Sequence, residues 1–298
     1  MTQEEYLKYV LADQCLADDS EEMKALRAER VEVENLLRSK FSGRDFTLRY
    51  GGSKAKGTLI REMYDLDIVF YLHASEDGAG KTLKEIFFNV ADALRSKYTV
   101  HEKTSALRLK SNDTQRSGSD LHIDVVPGRF TSDDKNDCYL YQNGGDKERL
   151  KTNLDTHVAH IRDSGVLDAL RLLKLLRVRR ALSVKQFAWE LLGVKLLEGH
   201  RNDDLADQLD HVLEEIENAK EAVAIEDPAN PTGNDLMPML RAVWWDLRNV
   251  ARDVRSIVAS NGWEAVFGAV DAKSARVARL SAAVQSVRTP IRPWDIEG

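Results

Sequence analysis

The sequence has few cysteines and no long apolar segment. Two cysteines occur in 298 residues, Cys15 and Cys138, and they lie too far apart to form a zinc-ligand pattern or a disulfide framework. Such scarcity is typical of proteins from a reducing cytoplasm. No apolar run approaches the roughly 20 residues that a membrane-spanning helix needs. We therefore expect a cytoplasmic protein without a membrane partner.

Excess positive charge is also lacking. The chain has 43 Lys and Arg residues against 49 Asp and Glu residues, which gives a formal net charge of -6. Extended contact with nucleic-acid phosphates requires a basic surface. The composition therefore argues against a protein dedicated to binding long DNA or RNA, although it is compatible with local basic patches.

The pattern of apolar residues changes near residue 150. Before it, helical segments alternate with short strand-like runs, and after it helical periodicity dominates. We predict an α+β domain at 1–150 and an all-helical domain at 151–298, with the N-terminal helix as a candidate bridge between them. The last helix is expected at about 272–287.

Three runs define the predicted sheet around the most informative motifs. They are FTLRY (46–50), DLDIVFYL (65–72) and DLHIDVVP (120–127). Pro127 is expected to end the third strand, because proline cannot donate to a strand ladder. A further run, CYLYQ (138–142), is expected to form an edge strand.

Two aspartates open the apolar run DLDIVFYL. Side chains alternate along a strand, so Asp65 and Asp67 project from the same face. Two adjacent carboxylates repel each other, and folds keep such pairs where a cation, most often a divalent metal, lies between them. The simpler interpretation is a solvated pair at a strand start. The Gly-Ser turn upstream and the unbroken apolar run downstream favour the metal site.

The turn before this strand is a candidate phosphate site. Gly52 allows the backbone to approach a ligand closely, and Ser53 is predicted near the start of a short helix, KAKGTLI. Free amides at a helix start suit a phosphate. The simpler interpretation is an ordinary tight turn.

A third carboxylate interrupts the run IDVV. A buried, unpaired Asp124 would be costly, whereas beside DLDIVFYL it would complete a cluster of three carboxylates. Asp120 and His122 share its strand face and are alternative ligands. Asp124 is favoured because apolar residues bracket it, and the simpler interpretation is an edge-strand aspartate facing water.

A basic stripe is predicted on the helix around 167–180. Arg171, Lys174 and Arg177 recur at i, i+3 and i+6, which places them on one helix face. The simpler interpretation is a solvated face of a core helix. If the stripe faced the acidic cluster, it would bind a triphosphate.

Together these motifs resemble the polymerase-β-type nucleotidyltransferases. The series GGS, DLD and IDV is similar to the Gly-Ser corner and three acidic residues of that superfamily. Within it, the chain resembles the branch of cyclic GMP-AMP synthase, oligoadenylate synthase and the bacterial CD-NTases, which make cyclic oligonucleotides. The segments similar to that branch are GSKAKGT (52–58), IDVVPGRF (123–130), LDALRLLKLLRVRR (167–180) and DPANPTGN (227–234). Lys54 replaces the aromatic residue that often follows Gly-Ser in relatives.

The resemblance implies a fold and an activity. The fold would be a polymerase-β-like core, a mixed sheet with flanking helices, plus a C-terminal all-helical lobe. The activity would be template-independent joining of NTPs, ATP and/or GTP, into a cyclic di- or oligonucleotide with release of pyrophosphate. The product would act on a downstream effector in bacterial antiphage (CBASS) signalling. The alternatives are a nucleotidyltransferase that tails RNA or modifies a small molecule or protein, and an inactive nucleotide-binding module.

The resemblance also implies roles for individual residues. Asp65, Asp67 and Asp124 would be catalytic and hold two Mg²⁺ ions, for which Mn²⁺ could substitute. Gly52, Ser53 and Lys174 would contact nucleotide phosphates. Some bacterial relatives are joined to other molecules through their C-terminal residue, so Gly298 is a candidate site for a conjugation partner. The simpler interpretation is an ordinary tail.

Overall fold

The computed structural model describes residues 1–112, 122–144 and 147–270 of the chain. The predicted helix at 272–287 and Gly298 lie outside these residues. The helices within them are α1 Gln3–Gln14, α2 Glu21–Lys40, α3 Gly52–Lys56, α4 Leu83–Leu94, α5 Leu154–Arg162, α6 Leu167–Arg179, α7 Gln186–Leu196, α8 Leu205–Asn218, α9 Met237–Asn261 and α10 Glu264–Phe267. The strands are β1 Phe46–Tyr50, β2 Asp65–Leu72, β3 Tyr98–Glu102, β4 Leu107–Ser111, β5 His122–Phe130, β6 Cys138–Tyr141 and β7 Arg149–Thr152.

The strands form one mixed sheet. Five of them follow the order β1-β2-β5-β4-β3, while β6 pairs with β5 and β7 pairs with β6. The pair β2–β5 is parallel, and the remaining pairs of the described sheet are antiparallel. The two strands with the acidic motifs are therefore direct neighbours, although β3 and β4 lie between them in sequence.

One face of the sheet packs against α2 and α4. Burial of the apolar side chains of β2, among them Ile68 and Phe70, stabilises this core together with Val33 of α2 and Phe87 of α4. Four of the described helices, α1, α2, α4 and α5, begin at a residue whose side chain accepts a hydrogen bond from a free backbone amide. At the start of α2, the Ser20 side chain accepts a hydrogen bond from the Met23 amide.

The helices after β7 form a second core, and α1 belongs to it. Tyr6, Leu7 and Val10 of α1 pack with the buried leucines of α6 and α8. The indole of Trp189 in α7 donates a hydrogen bond to the carbonyl of Leu173 in α6. No helix among residues 1–112, 122–144 and 147–270 is both long and apolar enough to cross a membrane.

Pro127 does not end its strand, contrary to the sequence prediction. β5 continues to Phe130, and Pro127 lies opposite Phe70 in the ladder with β2. On the other edge of β5, pairing with β4 reaches Val125 and pairing with β6 begins at Gly128. Proline therefore occupies the gap between two partner strands, where no ladder hydrogen bond is lost.

The prediction for CYLYQ was right about the strand and wrong about its position. β6 lies between β5 and β7, so it is an inner strand. The sequence prediction missed β7, because Arg149–Thr152 has four residues and little apolar alternation. Its strand conformation depends on pairing with β6.

Candidate active site

The acidic residues converge at the start of the parallel strand pair. Asp67 lies opposite Asp124, and Asp65 lies opposite His122. Asp65 and Asp67 are partly buried, while Asp124 is buried with 8% exposure. The sequence prediction that the two acidic strands are neighbours agrees with this register. The alternative ligand Asp120 lies outside the described residues, and the exposed His122 has its Nδ1 atom 3.6 Å from Asp65 Oδ1.

The environment of Asp67 disfavours its charged form. Burial, with the charges of Asp124 and Asp65, raises its pKa to about 6, and the positive charges of Lys56 and Lys174 only partly oppose this. The carboxylate is thus short of compensating positive charge at neutral pH. This position is suited to an additional cation.

Asp124 is compensated by two basic residues that the sequence analysis did not single out. Arg108 donates from Nε to Asp124 Oδ1 and from a terminal guanidinium nitrogen to Oδ2, both at 2.8 Å, and Lys103 Nζ donates to Oδ2 at 2.8 Å. Burial alone would raise the pKa of Asp124, but these hydrogen bonds hold that pKa below its usual range. Arg108 lies opposite Asp124 in the ladder between β4 and β5, a register that the sequence does not reveal.

The carboxylates match a divalent metal in donor chemistry. Hard cations such as Mg²⁺ prefer carboxylate oxygens, and the raised pKa of Asp67 reflects negative charge that such a cation would neutralise. Among the described parts of the chain, however, no group of three or more His, Cys, Asp or Glu side chains is already arranged to hold a metal. Arg108 and Lys103 occupy the oxygens of Asp124 instead. The three-carboxylate metal site therefore stays a prediction.

The Gly-Ser turn lies directly against Asp67. The Gly51 amide donates a hydrogen bond to the Asp67 carbonyl at 2.8 Å. Gly52 has φ +50°, and a Cβ atom there would lie 1.6 Å from Asp67 Oδ2. Only glycine fits between the turn and this carboxylate. The following Ser53 is 8% exposed and lies on α3, which is a single turn that ends at Lys56.

Each residue of the predicted basic stripe donates a hydrogen bond to a backbone carbonyl of the protein. Arg171 Nε donates to the Gly57 carbonyl at 2.9 Å, and Lys174 Nζ donates to the Thr58 carbonyl at 3.3 Å. Arg177 Nε binds the Val184 carbonyl at 2.6 Å. The interpretation as a solvated face is therefore wrong for Lys174, which is 2% exposed.

Lys174 is sensitive to its buried surroundings. Desolvation lowers its pKa to about 8, with a smaller contribution from Lys56, while Glu190, Asp65 and Asp67 oppose the change. The charged form of Lys174 is therefore less favoured than that of an exposed lysine. An incoming anionic ligand would favour the charged form.

A cavity of about 580 Å³ adjoins Asp65. Its polar wall includes Arg108, His122 and Arg177, and its apolar wall includes Met63 and Tyr64. Glu62 and Asp65 also line it, so the cavity presents apolar, cationic and anionic side chains to a ligand. Arg108 thus touches both the acidic residues and the cavity.

Comparisons with known proteins identify the fold. No family model matches the sequence, and no curated protein matches it. The structure is similar to E. coli CdnC with ATP, with 18% identity, a TM-score of 0.67, and coverage of 91% of this chain and 98% of that one. It is similar to the Bradyrhizobium diazoefficiens CD-NTase CdnG in complex with GTP, with 13% identity, a TM-score of 0.66, and coverage of 96% and 99%. The chain has the CD-NTase fold.

A third CD-NTase structure supports the same assignment. Vibrio cholerae DncV, a cyclic AMP-GMP synthase, matches with 15% identity, a TM-score of 0.61, and coverage of 92% of this chain and 86% of that one. The predicted fold class, a polymerase-β-like mixed sheet with a helical lobe, is confirmed by these likenesses to CD-NTases. The roles of the individual site residues stay predictions.

Proposed function

We propose that the chain is a CD-NTase that joins NTPs into a cyclic di- or oligonucleotide and releases pyrophosphate, without a template. The observation that carries this proposal is the pair Asp67–Asp124, which lies on parallel strands against the Gly52 turn. It is supported by the fold, which this chain shares with proteins whose structures contain ATP or GTP.

The triphosphate of the donor nucleotide would bind between the Gly-Ser turn and α6. Ser53 and the neighbouring amides would donate hydrogen bonds to phosphate oxygens. The Lys174 ammonium, which interacts electrostatically with Asp65 and Asp67, would add positive charge. Positioning and electrostatic stabilisation of this kind dominate catalysis of phosphoryl and nucleotidyl transfer.

Asp65, Asp67 and Asp124 would hold the divalent ions. Two Mg²⁺ ions, or Mn²⁺, would activate the attacking ribose hydroxyl and stabilise the leaving pyrophosphate. Arg108 and Lys103 compete with a metal ion for the oxygens of Asp124. Arg108 is also part of the cavity wall, where it would contact a phosphate.

The acceptor would be a small nucleotide in the cavity beside Asp65. Tyr64 and Met63 offer an apolar surface for a base, Arg177 offers positive charge for phosphate, and His122 offers ring nitrogens for hydrogen bonds. The acidic composition of the chain, with a net charge of -6, favours such an acceptor over a long RNA. ATP and GTP are the proposed substrates.

The biological setting is also a proposal. The cyclic product would activate a downstream effector in cytoplasmic antiphage (CBASS) signalling, and the conjugation partner at Gly298 belongs to the same hypothesis. Co-expression with neighbouring genes, followed by mass spectrometry for an isopeptide or thioester at Gly298, tests the latter. A free carboxylate in the presence of a working activating enzyme would exclude conjugation.

The activity is tested with labelled NTPs. The protein is incubated with each NTP and with pairs of NTPs in Mg²⁺, and the products are treated with phosphatase. A small phosphatase-resistant product that is absent with Asp67→Asn supports cyclisation. A ladder on added RNA would favour a tailing enzyme instead, and no NTP consumption under any condition would favour an inactive binding module.

A further inference from the structure

Glu190 is a buried carboxylate in an otherwise apolar helix. It lies in the α7 run FAWELLGV and is 1% exposed. Burying a carboxylate is strongly unfavourable unless it is paired and hydrogen-bonded. Glu190 therefore requires buried partners that pair with its charge.

Those partners lie just after the Gly-Ser turn. Lys56 of α3, itself 8% exposed, forms an ion pair with Glu190 Oε2. The Thr58 hydroxyl donates a hydrogen bond to Glu190 Oε1 at 2.7 Å, and the Gln186 amide lies 3.2 Å from the same oxygen. A residue of the helical lobe thus fixes two residues of the candidate phosphate-binding segment.

Thr58 connects this contact to the phosphate site. While its hydroxyl binds Glu190, its carbonyl accepts a hydrogen bond from Lys174 at 3.3 Å. Lys56 and Lys174 are also the two cations that act on Asp67. Glu190 is therefore a buried anion that pairs directly with Lys56 and is linked to Lys174 through Thr58.

We propose that Glu190 is a positioning residue for the triphosphate site, fixing Lys56 and Thr58 and, through Thr58, the position of Lys174 beside the donor nucleotide. This inference rests on the proposed function, because it assigns Glu190 to the nucleotide site. Glu190 itself would not contact the substrate and would act through Lys56, Thr58 and Lys174.

The electrostatics give the proposal a pH signature. The groups that act on Lys174 are Glu190 of α7, Lys56 of α3, and Asp65 and Asp67 of β2. Glu190 raises the pKa of Lys174, which desolvation has lowered to about 8. Loss of the Glu190 charge therefore moves the deprotonation of Lys174 to lower pH. A role confined to stability would leave the pH dependence of nucleotide binding unchanged.

The test measures ATP binding by calorimetry between pH 6.5 and 9 for wild type, Glu190→Gln and Glu190→Asp. We expect Glu190→Gln to weaken ATP binding about tenfold at pH 8, as for loss of one charge-assisted hydrogen bond, with a smaller loss at pH 6.5. Glu190→Asp keeps the charge and should restore the wild-type pH profile. In turnover assays the KM should rise more than kcat falls.

The matched control is Asp227→Asn, a buried acid of the same lobe. Asp227 is 1% exposed and binds His157, Asn234 and the Ala229 amide. The Asp227→Asn variant should be less stable than the wild type, and the pH dependence of its ATP binding should be unchanged. The double variant Lys56→Met, Glu190→Gln removes both charges of the pair, so it should fold even if Glu190→Gln alone does not.

Three results would overturn the proposal. They are wild-type ATP affinity and pH profile in Glu190→Gln, a loss in Glu190→Gln that is equal at every pH, and wild-type binding in the double variant. These failures are distinct from failure of the proposed function, which would appear as a wild-type protein that forms no product from NTPs.

Discussion

Asp67 on β2 lies opposite Asp124 on β5, and the two carboxylates differ in how they are compensated. Arg108 and Lys103 bind Asp124, whereas burial and neighbouring carboxylates raise the pKa of Asp67 to about 6. Uncompensated negative charge is therefore concentrated at Asp67. Several properties of the protein should depend on this asymmetry.

The double variant Asp65→Asn, Asp67→Asn should abolish product formation while the protein stays folded. In EDTA at pH 7 its melting temperature should rise, because two repelling charges are removed. The raised pKa of Asp67 means that its contribution to stability is present below pH 4 and is lost as pH rises through about 6. The gain at pH 7 should be on the order of 1–2 kcal/mol after allowance for solvent screening.

Thermal melts at pH 4 and pH 7, with and without Mg²⁺, check this prediction. The stabilisation should be absent at pH 4, where wild-type Asp67 is protonated. Mg²⁺ should stabilise the wild type and leave the double variant unchanged. Wild-type turnover by the double variant would exclude the proposed role of these aspartates in metal binding.

Gly52→Ala should damage the site by displacing Asp67. A Cβ atom at residue 52 would lie 1.6 Å from Asp67 Oδ2, and the backbone there has φ +50°. Gly43→Ala is the matched control, because Gly43 has φ +74° and a Cβ atom there would have nothing within 4 Å. The control should lose about 1 kcal/mol of stability from backbone strain alone.

We expect Gly52→Ala to lose about 1–3 kcal/mol more than this control, and to bind Mn²⁺ more weakly. Chemical denaturation and Mn²⁺ titration followed by electron paramagnetic resonance provide the two measurements. Equal stability losses with unchanged Mn²⁺ binding would mean that the turn does not need to lie against Asp67.

Much of the fold could be predicted because its strongest elements are defined locally. The run Asp65–Leu72 is apolar enough to identify β2. β7 and the continuation of β5 past Pro127 depend on partner strands, so local patterns could not predict them.

The candidate site was predictable in its acidic residues and less so in its basic ones. Arg108 reaches Asp124 only in the observed register of β4 and β5, and a slip of one residue would place it on the opposite face of the sheet. Glu190 did leave a signal, as a single charge inside FAWELLGV. Its partner Lys56 is distant in sequence, so the pairing required the tertiary structure.

Arg108→Gln should tighten binding of divalent metal to the free protein. Arg108 competes for both oxygens of Asp124 and lies 3.9 Å from Asp65 Oδ2. Removing one positive charge at this distance favours a cation by on the order of 1 kcal/mol, or about fivefold in affinity. Mn²⁺ titration without nucleotide measures the change. The control is Arg95→Gln, which breaks exposed ion pairs with Asp92 and Glu102 and should leave Mn²⁺ affinity unchanged. Weaker Mn²⁺ binding by Arg108→Gln would contradict the idea that Arg108 competes with the metal for Asp124.

Lys174→Met should raise the KM for NTP about 10- to 100-fold, since a charge-assisted phosphate contact contributes about 1.5–3 kcal/mol. In the wild type, KM should rise as pH increases through about 8, where Lys174 loses its proton. That rise should be absent in Lys174→Met and shifted to higher pH in Lys174→Arg. The lowered pKa also means that the buried charge costs stability below pH 8, so Lys174→Met should melt at a higher temperature at pH 7 and lose this advantage toward pH 10.5.

The control for Lys174 is Lys195→Met on α7, an exposed lysine paired with Glu198. It should change neither KM nor its pH dependence. Steady-state kinetics from pH 6.5 to 9 and melting curves at pH 7 and pH 10 measure both effects. If the KM of Lys174→Met followed the wild-type pH profile, Lys174 would not contact the phosphates, and the basic face of α6 would serve only to hold the segment between α3 and β2.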